Sequence, residues 1–367
     1  MDIRLIVSII FLLNMVVIYG FTVDVTPQNN SIVNSLTPTI SAQITSPSNT
    51  STFIDWGDSL VGYWNFDSGN STHAYDLSGN ENHAVLPTIG NHISYSNQNS
   101  VRGTYVNSSG EFRHIEIEHR DYYNLYQKNT TYSFWVRPKY MGQSAYILQK
   151  FLTQSEPGFR IGLSSSFENI NTVITMGGGA GISSGTSGGA INNSWVQVTL
   201  TINSEGNLST YLNGFLNKTF SNIYEGYTPS YNSENIRILD REYASFDELM
   251  IFNRTLSANE VGAIYNSQVN DFTFMPQDIA NLNQYNYTLY TINESGFLDI
   301  SNYSFFVNYT GVNTNSLFPS QAVSSYLVSI LLLFMFFRNN CYTNKIFKTF
   351  NNCISNFRRN NISKNRV

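Results

Sequence analysis

Between Leu60 and about Asn266 the chain is a succession of short runs that alternate apolar and polar residues, broken by Gly and Asn, and no helical period competes before residue 257. In "WVQVTLTI", Val196, Val198, Leu200 and Ile202 fall on one side of an extended backbone, with Gln197, Thr199 and Thr201 on the other. That two-residue period marks a strand with one apolar face and one polar face. After "NSEGN" the run "LSTYLNGF" carries Asn213-Gly214, a pair that tolerates the positive φ of a tight hairpin turn. "YSFWVRP" sets Phe134 and Val136 on one face and stops at Pro138, which has no N–H for a ladder. "FRHIEIEH" alternates in the same way. Roughly two hundred residues of this pattern predict an all-β fold, an antiparallel sandwich around one sizeable core.

Aromatics make up 14% of the 367 residues and charged groups only 12%, with Tyr, Asn, Ser and Thr supplying the polarity. This is a packing composition, unlike that of a disordered chain. A net charge of −5 and the lack of a basic stripe between Phe21 and Pro319 argue against a nucleic-acid partner.

The two ends point to a membrane. "MDIRLIVSIIFLLNMVVIYG" (1–20) has one basic residue, an apolar run and a terminal small residue, the build of a secretory signal peptide; an uncleaved anchor helix is the other reading. "SLFPSQAVSSYLVSILLLFMFF" (316–337) is long enough to span a bilayer. The tail 338–367 holds seven Lys and Arg and no acid, which predicts a cytoplasmic location and leaves residues 21 to about 318 outside the cell membrane. Both cysteines, Cys341 and Cys353, lie in that tail, so the exterior portion has no disulfide. Sequons recur there, among them Asn70, Asn107, Asn129 and Asn253, consistent with an exposed glycoprotein.

On either side of the sandwich block, 21–58 and 269–311 contain further strand-like runs, each too short to bury a face alone. Two readings stand: one immunoglobulin-like sandwich interrupted by the 59–268 insertion, or two unrelated stalk segments.

Four stretches occur in register: "LVGYWNFDSGNSTHAYDLSGNENHAVL" (60–86), "YSFWVRP" (132–138), "NSWVQVTLTINSEGNLSTYLNG" (193–214) and "FDELMIFNRTLSANEVGAIYN" (246–266). Together they resemble the laminin G-like members of the concanavalin A-like lectin/glucanase superfamily, and the flanks resemble the Ig-like repeats of microbial, especially archaeal, surface proteins. The resemblance implies a jelly roll of two antiparallel sheets whose last strand leads into a short helix. Ser257 and Glu260 have capping-box spacing at that helix start, Leu256 is placed to staple against Val261, and Val261, Ile264 and Tyr265 recur on one face.

Strict alternation along 246–252 puts Asp247 with Leu249 and Ile251, and Glu248 with Phe246, Met250 and Phe252. One carboxylate is then drawn toward the low-dielectric side and needs a cation or donors. Arg254 is one available cation and Ca²⁺ another. Asp67, Asp76 and Asn80 sit in a turn-rich loop, and relatives of the resembled type hold a structural Ca²⁺ between that loop and the Asp of the last strand. The resemblance therefore implies a ligand set of Asp67, Asp76, Asn80 and Asp247. An Asx-turn with an Arg254 salt bridge and no ion is the competing reading.

Other features carry weaker chemistry. His73, His83, His114 and His119 have no zinc spacing. Glu116 and Glu118 point the same way, but the third carboxylate of the laminarinase-type pattern Glu-x-Asp-x-x-Glu is missing. "TMGGGAGISSGTSGGA" (175–190) lacks a Gly-Lys-Ser/Thr and a following helix, and is expected to be a mobile hairpin loop. Trp64, Trp135 and Trp195 match core positions of the resembled family. The sequence thus predicts a non-enzymatic, single-pass cell-surface protein whose module binds an extracellular glycan or protein in adhesion. A structural envelope protein with the sandwich as spacer is the alternative, and a glycoside hydrolase is the less favoured third.

Overall fold

The computed structural model describes residues 22–310 apart from 46–49, 88–92, 109–113, 126–127, 140–144, 151–156, 164–169, 178–179, 186–192, 226–231, 241–243, 270–271, 277–278 and 294–297. The expected leader, the 316–337 span and the basic tail lie outside the described residues. Among the described residues no helix is long and apolar enough to cross a bilayer.

The chain opens with β1 (Thr22–Thr26), β2 (Ser31–Val33), β3 (Ile40–Thr45) and β4 (Thr50–Trp56). The central block follows. It runs β5 (Leu60–Trp64), β6 (His73–Ala74), β7 (Ala84–Val85), β8 (Ile93–Ser96), β9 (Tyr105–Ser108), β10 (Ile115–Ile117) and β11 (Thr130–Pro138). It continues with β12 (Ala145–Gln149), β13 (Pro157–Leu163), β14 (Ile170–Gly177), β15 (Ala180–Gly185), β16 (Val196–Ile202), β17 (Leu208–Leu212) and β18 (Phe215–Phe220). It closes with β19 (Ile236–Asp240), β20 (Ala244–Phe252) and helix α1 (Ala258–Val269), after which come β21 (Phe272–Phe274), β22 (Gln284–Asn293) and β23 (Leu298–Val307).

The central block is an antiparallel sandwich. Sheet I has the order β15-β14-β13-β12-β19-β10-β7-β6, and sheet II the order β18-β17-β16-β11-β20-β9-β8, with β5 pairing on β20. Alternation places Ile115, Ile117, Ile236, Ile238 and Ile161 of sheet I against Phe134, Val198, Leu200 and Ile251 of sheet II in one core. The Asn213-Gly214 turn adopts φ of 50° and 78°, the positive pair that matches the right-handed twist of its strands. Gly214 is also pinned sterically, because a Cβ there would lie 2.9 Å from Cβ of Tyr265.

The polar side of "WVQVTLTI" is covered: β16 is buried on both sides, with Gln197 and Thr199 each 1% exposed. Thr199 shares a 2.9 Å hydroxyl hydrogen bond with Ser133, which spares both the cost of burial. The glycine-rich segment is not loop throughout, since β15 pairs antiparallel with β14 from Gly185 to Ala180.

Strands from the two flanks share sheets. β1-β3-β21 and β2-β23-β22-β4 pair across the insertion, and Val25, Ile40, Ile54, Leu289 and Phe305 pack together in their core. Helix α1 begins with the predicted capping box: Glu260 Oε2 accepts both the Ser257 N–H and the Ser257 Oγ–H at 2.8 Å. A third core joins the two sandwiches. Phe53 and Tyr290 of the flank meet Tyr63, Met250 and Phe252 of the central block and Val261 and Ile264 of the helix. Phe53 stacks on Tyr290 at 4.8 Å and meets Tyr63 edge-on at 5.1 Å.

Candidate functional site

β20 changes partners along its length. β9 pairs with it at Ser245 and Phe246, β5 takes over from Leu249 to Phe252, and neither pairs at Asp247 and Glu248. The register against β11 shifts at the same place, and Glu248 takes φ +54°, the signature of a β-bulge. The extra residue overturns the strict alternation expected for this strand. Phe246, Leu249 and Ile251 share the inter-sheet core, while Met250 and Phe252 enter the third core. Both carboxylates are buried, Asp247 at 0% and Glu248 at 2% exposure.

Residues that end β5 and lead into β9 close this gap. Asp67 accepts hydrogen bonds from the Thr104 N–H and, at 3.3 Å, from Asn65 Nδ2. Gly103 is at φ +51°, and a Cβ there would collide with the Asp67 carboxylate. Asp247 Oδ1 accepts the Glu248 N–H at 2.9 Å, Oδ2 has no partner, and Tyr63 Oη donates to Glu248 Oε2 at 2.8 Å. Burial, then the charges of Glu248 and Asp67, push the Asp247 carboxyl well above its ordinary range, with Arg102 only partly offsetting them. Burial likewise raises Asp67 to about 6 against hydrogen bonds from Thr104 and the charge of Arg102.

Of the four expected ligands, Asp67 and Asp247 therefore feel each other's charge. Asp76 and Asn80 are engaged elsewhere. Asp76 accepts the N–H groups of Tyr63 and Ser78 on Oδ1 and of Asn82 on Oδ2. Asn80 donates to Ser78 Oγ and to the Val61 carbonyl. Ca²⁺ takes six to eight oxygens, and among the described residues no group of three Asp, Glu, His or Cys is arranged to hold a metal. As placed, the four side chains are divided between two separate hydrogen-bonded groups. Arg254 does not neutralise Asp67 and Asp247; it pairs with Glu260 at 2.6 Å and donates from Nε to Ser59 Oγ.

A second polar constellation lies on the outer face of sheet I. Because Ile115, Ile117, Ile236, Ile238 and Ile161 point inward, the residues between them point out. Register places Val85, Glu116, Arg237, Gln149, Arg160 and Val173 in one row across six strands. Asn235 Nδ2 donates to Glu116 Oε1, and His114 Nε2 lies 3.2 Å from Glu116 Oε2. His114 Nδ1 is 3.8 Å from Asp240 Oδ1, and Gln149 Nε2 donates to Asp240 Oδ2 at 2.5 Å. Gln149 Oε1 accepts Arg160 Nε at 3.1 Å, and the Arg160 guanidinium lies 3.8 Å over the Tyr146 ring. Buried Lys150 supports one end, donating to both Asn232 oxygens and to the Glu234 carbonyl. Burial raises the Glu116 pKa, but the Asn235 and His114 hydrogen bonds and the charges of His114 and Arg237 outweigh it, and the net shift is downward.

The remaining candidates separate cleanly. Glu118 is exposed and paired with Arg120 at 3.0 Å. Trp64 lies in the inter-sheet core, and buried Trp135 stacks on Tyr265 of α1. Trp195 is half-buried, with Arg137 5.1 Å over its ring and its Nε1 donating to the Asn99 carbonyl. Sequence reasoning singled out Glu116 but missed Arg237, Gln149 and Arg160. Their signal was present: Phe159-Arg160-Ile161 and Ile236-Arg237-Ile238 each set one cation between apolar residues of a strand.

Residues 109–262 match the model of the concanavalin A-like lectin/glucanases superfamily. The match to this lectin/glucanase family model covers less than half of the chain and contains β10 to β20. Among solved structures, the binding domain of Paraclostridial Mosquitocidal Protein 1 aligns at 23% identity and TM-score 0.47, covering 57% of this chain and 52% of that one. A botulinum neurotoxin type C structure, described by cell entry through interaction with two ganglioside molecules, aligns at 22% identity and TM-score 0.47, covering 57% and 51%. The botulinum neurotoxin serotype D binding domain aligns at 16% identity and TM-score 0.47, covering 65% and 73%. The chain thus spans about half the length of the first of these structures. No curated protein matches the sequence.

Proposed function

We propose that the central lectin/glucanase-superfamily domain is a non-catalytic binding module that engages a glycan across the outer face of sheet I. The observation that carries this reading is the cross-strand network of Glu116, Gln149, Arg160, Asp240 and His114. Donors and acceptors alternate there over several strands, as recognition of sugar hydroxyls requires. The outer face of sheet II is taken up by the helix and the flanking sandwich, so sheet I is the face left for a ligand. Hydrolysis by a retaining mechanism needs one carboxyl held in its acid form beside a nucleophile. The downward shift of Glu116 and the pairing of Glu118 with Arg120 favour binding over turnover.

The same reading places the module outside the cell, with 316–337 as its single span and the basic tail in the cytoplasm. The test is a glycan array with the full chain in detergent, followed by Glu116→Gln and Arg160→Ala. Array hits that weaken at least tenfold in both variants, with unchanged melting, support the proposal. No hit, or hits indifferent to both substitutions, refute it. Protease added to intact cells must also reach the central block.

A further inference from the structure

In the outward row of sheet I, every charged or polar residue but one is held by the protein. Glu116 is gripped by Asn235 and His114, Gln149 by Asp240 and Arg160, and Arg160 lies over Tyr146. Arg237 stands between Glu116 and Gln149 in register. It is half-buried, and its side chain makes no hydrogen bond, ion pair or ring contact with any described residue; only its charge is felt, by Glu116. A guanidinium offers five N–H donors in a fixed planar fork that matches a carboxylate in bidentate fashion. Here that fork sits at the middle of an otherwise saturated network.

Resting on the glycan-binding reading above, we propose that this face takes a carboxylate-bearing sugar. Arg237 receives the sugar's carboxylate, while Glu116 and Asp240 accept hydrogen bonds from hydroxyls on either side. An acidic peptide matches less well. Glu116 and Asp240 flank the fork on the same face and would repel successive carboxylates, whereas a sugar acid brings hydroxyls that donate to them.

The experiment is calorimetric titration of the full chain with a glucuronate-containing oligosaccharide and with its neutral glucose counterpart, each at low and at high salt. Arg237→Gln and Arg237→Lys are titrated in parallel. The wild type is expected to favour the acidic ligand by about tenfold or more, and the preference should narrow with salt. Arg237→Gln should lose that preference while keeping its affinity for the neutral sugar and its Tm; Arg237→Lys should keep part of it. Equal affinity for the two sugars, or a preference that survives Arg237→Gln, overturns this inference and leaves glycan binding standing. Failure of both sugars to bind overturns both readings, and so does Arg237-dependent capture of an acidic peptide alone.

Discussion

Replacing Asp67 with asparagine removes one carboxyl from the buried cluster at the β20 bulge without changing its shape. In the folded chain Asp67 titrates at about 6 rather than near 3.8. The native state therefore keeps its proton over about two pH units in which the unfolded chain has lost it. The native state binds more protons in that window, so the contribution of this group to stability is fully present below about pH 4 and is lost as pH rises through about 6. Two units correspond to about 3 kcal/mol. The substitution also leaves Asn65 Nδ2 or the Thr104 N–H short of one acceptor, at a cost of about 1 kcal/mol. Asp67→Asn is thus expected to be slightly destabilising at pH 4 and stabilising by about 2 kcal/mol at pH 7, with a flattened slope between. Urea denaturation of both proteins at half-unit pH steps measures this. Parallel curves from pH 4 to 7, or wild-type stability that rises relative to the mutant with pH, would refute burial as the dominant influence on Asp67.

Truncating the capping box by Ser257→Ala removes a side-chain acceptor for the Glu260 N–H and the donor to Glu260 Oε2, so denaturant midpoints should report a loss of about 1 kcal/mol. Phe53→Ala empties a buried site in the third core, at a cost of about 3–5 kcal/mol. Since that core joins the two sandwiches, calorimetry should show one shared transition moving down; two transitions with only one displaced would contradict the joint core. Ca²⁺ or EDTA should leave Tm unchanged, because Asp76 and Asn80 are committed to the 76–82 turn. A calcium-dependent rise abolished by Asp247→Asn would show that these side chains rearrange around an ion.

What the sequence revealed were features set by neighbours a few residues apart. The strands follow from two-residue alternation, the β17–β18 turn from the φ tolerance of Asn213-Gly214, and the helix start from Ser257 and Glu260. What it hid depends on partners far along the chain. The bulge at Glu248 arises where β9 hands over to β5, strands some 140 to 190 residues away from it, so no local pattern announces that Phe246 and Leu249 share a core. That Gln197 and Thr199 are covered is not legible locally, because the helix and flank that cover sheet II lie elsewhere in the sequence. The row on sheet I needs the register of six strands before Glu116, Arg237, Gln149 and Arg160 become neighbours. Asp67 and Asp247 came together through a residue resemblance, whereas Arg102 and Glu248 completed their surroundings through topology alone.

The measurement that bears most directly on the outer face of sheet I is a backbone NMR or exchange-protection map of the chain titrated with its best array glycan. Perturbations confined to 114–118, 146–149, 160 and 235–240 are expected. A ligand footprint on the β18 edge or around Trp195, with those segments silent, would contradict it.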